Sequence, residues 1–218
     1  MSPTSDRDGM PPSALPDGFH PFAVAQIPAV PWKNGGGTTR EVVGRPPGAG
    51  FDEFDWRVSI ATIASDGPFS AFPGVDRTIM LLAGDGVRLR GAGVDHALDA
   101  VGEPFGFSGD LAIDSARLGG ESTDFNVMTR RARCRAEVLL VERAGDLEPA
   151  DAGLVMSLQG RWRLATEPTG TPGAETEVAP HEGIWWSGAG GIRAISSVAG
   201  TGDGDAPPRR VVVRIRPG

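Results

Sequence analysis

Two parts of this chain carry the same layout. Ile79-Met80-Leu81-Leu82, a glycine at 84 and Val87-Arg88-Leu89 are echoed by Leu154-Val155-Met156-Ser157-Leu158, a glycine at 160 and Trp162-Arg163-Leu164. Further along, Gly102-Glu103-Pro104 before Phe105-Gly106-Phe107-Ser108-Gly109 matches Pro180-His181-Glu182-Gly183 before Ile184-Trp185-Trp186-Ser187-Gly188. The offsets are nearly constant, 160 − 84 = 76 and 188 − 109 = 79. A fixed offset of this kind marks an internal duplication, here of β-units of about 75–80 residues each. The repeated segments are short, and 32 glycines and 19 prolines cut the chain between them, which argues for strands rather than helices. The expected fold is therefore all-β, as two stacked barrels or sandwiches.

Period-two alternation is clearest in Phe54-Asp55-Trp56-Arg57-Val58-Ser59-Ile60-Ala61. Phe54, Trp56, Val58 and Ile60 fall on one face, with Asp55, Arg57, Ser59 and Ala61 on the other. A hairpin is expected from Thr78 to Leu82 through Gly84-Asp85-Gly86 to Val87–Arg90. Phe125 to Val141 reads as the longest strand-like run, with Asn126, Met128, Arg130 and Cys134 sharing one side. A buried Arg130 needs a partner, so it is either paired internally or set to meet a ligand. Cys134 lies among small apolar residues and reads as an inert core thiol. Residues 1–18 are polar and rich in Pro, Ser, Asp and Gly and read as a disordered tail. Residues 200–208 read as a flexible loop before a last strand at Arg209 to Arg214.

Composition excludes several classes of function. The net charge of −7 disfavours a nucleic-acid partner and an anionic membrane surface. A single cysteine leaves no internal disulfide and no cysteine-based zinc site. No stretch reaches the roughly 18 apolar residues of a membrane span, and the N-terminus has no apolar signal-peptide core. These features together read as a soluble cytoplasmic protein.

The densest chemistry lies in Trp32-Lys33-Asn34-Gly35-Gly36-Gly37-Thr38-Thr39-Arg40-Glu41. It is not a phosphate loop: the lysine precedes the glycines, and Thr38, Thr39, Val42 and Val43 favour a strand after them. The expected form is a Gly-rich turn feeding a strand from Thr38 to Val43. His20, His96 and His181 each stand alone, so no metal ligand set is expected. No nucleophile elbow occurs, and no catalytic residue is assigned. What remains is a polar group: Trp32, Lys33, Asn34, Thr39, Arg40, Arg57, Arg77, Asn126 and Arg130. Arginine recognises carboxylates through paired hydrogen bonds, and Trp32 can stack on a flat group. The plain alternative is internal pairing, such as Arg77 with Asp66.

These stretches resemble the HutD/Ves family. The resemblance is carried by Trp32 to Glu41, by Phe54-x-Trp56-Arg57-Val58-Ser59-Ile60-Ala61, by Asp66-Gly67-Pro68-Phe69-Ser70-x-Phe72-Pro73-Gly74-Val75-Asp76-Arg77 and by Asp124-Phe125-Asn126-Val127-Met128-x-Arg130-Arg131. It implies a cupin-type double barrel, a bicupin of two jelly-roll-like halves. The halves are then 19–148, holding the ligand pocket, and 149–218, intimately packed and able to exchange terminal strands. The resemblance also implies a bacterial cytoplasmic protein tied, in one branch, to histidine utilisation through a bound intermediate such as formylglutamate or urocanate. The other branch is associated with stress response. The metal ligands of enzymatic cupins have no counterpart in this sequence, and no cofactor is expected.

Three functions follow as expectations. The first is a metal-free sensor or regulator that binds a small carboxylate. In it Arg57, Arg77 and Arg130 hold the carboxylate, Lys33, Asn34, Thr39 and Asn126 orient it, and Trp32 covers it. The second is a metal-free isomerase or hydrolase using Lys33 or Glu41 as acid or base. The third is an interaction module, with Trp162, Trp185 and Trp186 forming a homodimer or partner surface.

Overall fold

The computed structural model describes residues 15–143, 145, 147–168, 172–188, 190–197 and 207–218. Of the tail expected at 1–18, residues 1–14 lie outside the described residues, as do residues 200–206 of the loop expected at 200–208. The described chain is built of strands, with one short 3-10 turn at Val24–Gln26. In order they are β1 (Phe19–Ala23), β2 (Val30–Pro31), β3 (Gly37–Arg45), β4 (Trp56–Ile63), β5 (Gly67–Phe69), β6 (Val75–Ala83), β7 (Val87–Gly91), β8 (Val94–Leu98) and β9 (Pro104–Ser108). There follow β10 (Ile113–Arg117), β11 (Ser122–Arg130), β12 (Cys134–Val141), β13 (Ala152–Gln159), β14 (Trp162–Pro168), β15 (Glu175–Val178), β16 (Glu182–Ser187), β17 (Gly190–Ser197) and β18 (Arg209–Pro217).

Each half is a larger sheet folded over a smaller one. The N-terminal barrel joins the sheet β2-β3-β4-β11-β6-β9 to the sheet β5-β10-β7-β8. The C-terminal barrel joins β1-β16-β13-β18-β12 to β15-β14-β17. Alternation turns an apolar face of the central strands of each larger sheet toward the other half. Trp56, Val58, Ile60, Met80, Phe125 and Val127 turn outward and meet Val138, Leu154, Met156, Val211, Val213 and Ile215 of the other half. The two barrels are thus joined through one continuous core. Ile63, Ile79, Leu81, Val87, Leu89, Leu98 and Ile113 fill one end of the N-terminal interior. Val155, Trp162, Leu164, Ile184, Trp186, Ile192 and Val212 fill the C-terminal one.

Three expectations are corrected by these pairings. β6 and β7 form no hairpin: β6 pairs with β11 and β9, and β7 with β10 and β8. The turn between them is a corner that carries the chain from one sheet to the other. Gly86 is needed there, because its φ is +89° and a Cβ would stand 2.1 Å from the Leu98 carbonyl oxygen. The long run from Phe125 to Val141 breaks at residues 131–133, so β11 and β12 serve different barrels. The tryptophan surface does not exist, since Trp162 and Trp186 are core residues and Trp185 packs against the inter-barrel core. β1 and β12 both join the C-terminal sheet.

The duplication survives in the register. β18 runs between β12 and β13 as β11 runs between β4 and β6. Leu81 and Ser157 are equivalent, 157 − 81 = 76, the same offset as the corner glycines. Leu81 faces Asp124, and Ser157 faces Arg210. A register shift lies beside each pair, between Thr123 and Asp124 and between Ser157 and Gln159. Asp124 and Arg210 therefore hold the same place in the two barrels.

Candidate functional site

The three central strands of the N-terminal sheet place a polar set on the face turned into the barrel. Arg57, Met128 and Arg77 lie abreast on β4, β11 and β6. The next row inward along the strands is Ser59, Asn126 and Ile79, and the row after it Ala61, Asp124 and Leu81. Arg57, Ser59, Arg77, Asp124 and Asn126 are all buried. The alternation that sends Val58 and Val127 into the core between barrels sends these side chains inward.

Both arginines are held by their own surroundings. Arg57 Nε donates to Glu41 Oε2 at 2.7 Å, and its Nη1 donates to Ser59 Oγ at 3.1 Å. Its guanidinium lies 5.0 Å from the Phe51 ring. Arg77 sits in an aromatic collar, with Phe69, Phe72 and Phe107 rings at 5.1, 5.5 and 5.1 Å. Its Nη1 donates to the Ser70 carbonyl at 3.3 Å and its Nη2 to Asn126 Oδ1 at 3.4 Å. Its Nε is buried without a partner.

Asp124 is the group that the sequence expectations did not select. It is 2% exposed, and its Oδ1 has no hydrogen-bond partner. Burial raises its pKa to about 7, against the opposing pull of Arg77. Burial likewise lowers Arg77 to about 10, with Asp124 working against that and Arg57 adding to it. Arg77 and Asp124 feel each other's charge, yet Arg77 Nε and Asp124 Oδ1 are both left unsatisfied. Alternation was the available signal: Asp124 is two residues from Asn126 and must share its face. Asp66, offered by the sequence as a partner for Arg77, pairs with Arg117 at 3.3 Å instead.

The glycine run is the expected turn feeding a strand, here β3. It closes a hairpin between β2 and β3, with Trp32 N–H donating to the Gly37 carbonyl at 2.9 Å. Gly37 admits the close approach of β4 and Trp32: a Cβ would stand 2.1 Å from the Thr62 carbonyl oxygen and 3.1 Å from the indole ring. Trp32 packs against the interior cluster, and its Nε1 donates to Thr39 Oγ1 at 2.7 Å. Asn34 is exposed and accepts from Gly36 N–H at 3.0 Å, so it shapes the turn. Lys33 is exposed on the same turn.

Two more candidates are placed elsewhere. Arg40 pairs with Ile60 in register, on the sheet face opposite Thr39, and its Nη1 donates to the Ile27 carbonyl. Arg130 donates from Nε to the Phe54 carbonyl at 3.2 Å and from Nη2 to that of Asp52 at 2.9 Å. It anchors the 50–54 loop that carries Phe51 over Arg57. The histidines are scattered: His20 stacks on Trp185 at 3.9 Å, His96 on Phe105 at 3.7 Å, and His181 sits in a turn with φ of +64°. Among the described residues no three His, Cys, Asp or Glu side chains cluster in a way that could hold a metal ion. Cys134 is buried, and burial pushes its thiol up to about 11.

Two barrels in one chain, each a large sheet over a small one, make this protein a bicupin. Oxalate decarboxylase from Lactobacillus farciminis shares that fold, with a TM-score of 0.63 at 9% identity over 94% of this chain and 87% of that one. The chain belongs to the HutD family, the HutD/Ves group, whose family model matches residues 24–202. Protein Ves of Cronobacter sakazakii is 38% identical over 166 residues, 76% of this chain and 85% of that protein. HutD from Pseudomonas fluorescens SBW25, solved in a formate condition, superposes with a TM-score of 0.74 at 26% identity, covering 92% of this chain and 99% of that one.

Proposed function

We propose that the N-terminal barrel binds a small carboxylate and that the protein acts as a cytoplasmic sensor or regulator of histidine utilisation. The observation that carries this reading is an unpartnered donor, Arg77 Nε, and an unpartnered acceptor, Asp124 Oδ1, on one buried lining. A ligand with a carboxylate at one end and an N–H group further along satisfies both. Arg57 and Arg77 take the carboxylate, and Asn126 and Asp124 take the polar group. Formylglutamate, with its amide, and urocanate, with its imidazole, both have this form. Arg130 serves indirectly, by fixing the loop under Phe51.

The experiment is thermal unfolding against histidine, urocanate, formiminoglutamate, formylglutamate and glutamate. A ligand at a hundred times its dissociation constant stabilises by about 2.7 kcal/mol, a shift of several degrees or fewer in a chain of this size. A selective shift that Arg57→Ala abolishes supports the reading. A flat response across all five acids overturns the pathway assignment.

One observation favours an enzyme as the second reading. A carboxyl group with a pKa near neutrality can give and take a proton, and Asp124 is better suited to that than exposed Lys33 or ion-paired Glu41. Turnover of any of the same acids by chelator-treated protein, lost in Asp124→Asn, would establish it. Intact acids after prolonged incubation would dismiss it.

A further inference from the structure

The C-terminal barrel encloses a cation with no described counter-charge. Arg210 lies on β18 between Ser157 of β13 and Val141 of β12, and is 1% exposed. Its guanidinium carbon stands 4.0 Å from the centre of the Trp162 ring, and Trp162 is fully buried. Arg210 Nε, Arg210 Nη1 and Trp162 Nε1 are all buried without a hydrogen-bond partner. The stacked pair thus carries three unsatisfied donors.

The neighbouring arginines are treated differently. Arg209 pairs with Glu142, and Arg214 with Glu137 and Glu148. Among the described residues no carboxylate pairs with Arg210. Its register neighbour Ser157 has its hydroxyl committed to the Gly160 carbonyl at 2.7 Å, and the cluster that holds Trp162, with Val155, Leu164, Ile184, Ile192 and Val212, is apolar. Burial lowers its pKa only to about 10, so it stays charged at neutral pH. A buried charge without a partner is among the most costly groups a fold can carry. Buried donors also call for an acceptor.

The register points the same way. Arg210 occupies the place that Asp124 holds in the N-terminal barrel, beside the same register shift. We propose that the C-terminal barrel contains a second anion site, in which Arg210 and the Trp162 indole N–H hold a small oxyanion such as a short carboxylate or nitrate. This site is independent of the Arg57–Arg77 lining and of any ligand bound there.

The test uses the two indoles as separate reporters, because Trp162 lies in one barrel and Trp32 in the other. The full-length protein, labelled with nitrogen-15, is titrated with formate, acetate and nitrate at constant ionic strength, and the assigned indole N–H resonances are followed. The expected result is a saturable shift of the Trp162 resonance that persists in Arg57→Ala. In Arg210→Met the apparent affinity should fall about tenfold or more, as when a charge-assisted hydrogen bond is lost. If Arg210→Met does not fold, the wild-type and Arg57→Ala titrations decide alone. A Trp162 resonance that ignores all three anions overturns the proposal, whatever Trp32 does. So does a Trp162 shift that vanishes with Arg57→Ala, since it would then report the other barrel.

Discussion

Opposite Leu81 in the N-terminal barrel stands an acid, Asp124; opposite Ser157, at the matching place in the C-terminal barrel, stands a base, Arg210. Around the acid the interior is polar, with Arg57, Ser59, Arg77 and Asn126 buried beside it. Around the base it is aliphatic and aromatic, and Trp162 covers the charge. One strand plan has thus been filled twice with different chemistry. The difference teaches where each barrel's side chains are committed. The C-terminal interior is mainly packed for stability, with Ser157, Thr166 and Arg210 as buried polar residues. The N-terminal interior leaves polar groups unsatisfied in a place where apolar packing would have stabilised the fold.

The sharpest way to break this contrast is to truncate one tryptophan in each barrel. Trp162→Ala should cost about 3–5 kcal/mol in urea unfolding, as for a fully buried aromatic. Trp32→Ala, which empties a partly buried site, should cost clearly less while impairing ligand binding. Equal losses would mean that the N-terminal interior is a packing core too. Next in size is Arg57→Ala, expected to weaken carboxylate binding by about 1.5–3 kcal/mol in calorimetry, the range for a charged hydrogen bond.

A pH titration sharpens the contrast further. Asp124 has a folded pKa of about 7 against an ordinary 3.8. Between those values the unfolded chain has lost a proton that the folded chain keeps. Unfolding then releases a proton, so stability falls as pH rises from about 4 to about 7 and levels off above that. Asp124→Asn should remove this slope, which equilibrium unfolding at several pH values would reveal. An unchanged slope would place the titrating group elsewhere. Carboxylate binding should also weaken above pH 7, as Asp124 becomes a second negative charge in the site. The smallest expected effect is at the seam between barrels. Cys134, buried against that shared core, should react with a thiol reagent at native pH no faster than the protein unfolds. Rapid labelling would show that the barrels part readily.

Much of this plan was legible in the chain. The offset of 76 foretold two units, and the alternation from Trp56 to Ala61 put Arg57 and Ser59 on the side opposite Val58. The same rule, applied strictly, separates Thr39 from Arg40: neighbours in a strand face opposite ways, so both could not line one pocket. It also pairs Asp124 with Asn126. Other features needed the fold itself. A glycine with positive φ suits a hairpin and a corner alike, so Gly84 and Gly86 could not reveal that the chain changes sheets between them. The turn expected at the glycine run was right, but that Gly37 makes room for the chain's own Trp32 shows only in the fold. Which of its two alternatives Arg130 takes was not legible, because carbonyl partners such as those of Phe54 and Asp52 leave no trace in side-chain composition.

The pairing of β1 with β16 sets an order on assembly. Phe19 meets Trp186, a separation of 186 − 19 = 167 residues. During synthesis, the strands between Val30 and Arg130 can close their barrel while the first strand still has no partner. β1, made before the other strands, is then among the last to find its place. Its Pro21 is suited to that role: β1 is an edge strand, where a missing N–H leaves no gap in a ladder. A ribosome-bound chain halted before residue 182 should therefore hold a closed first barrel and an unpaired N-terminal strand.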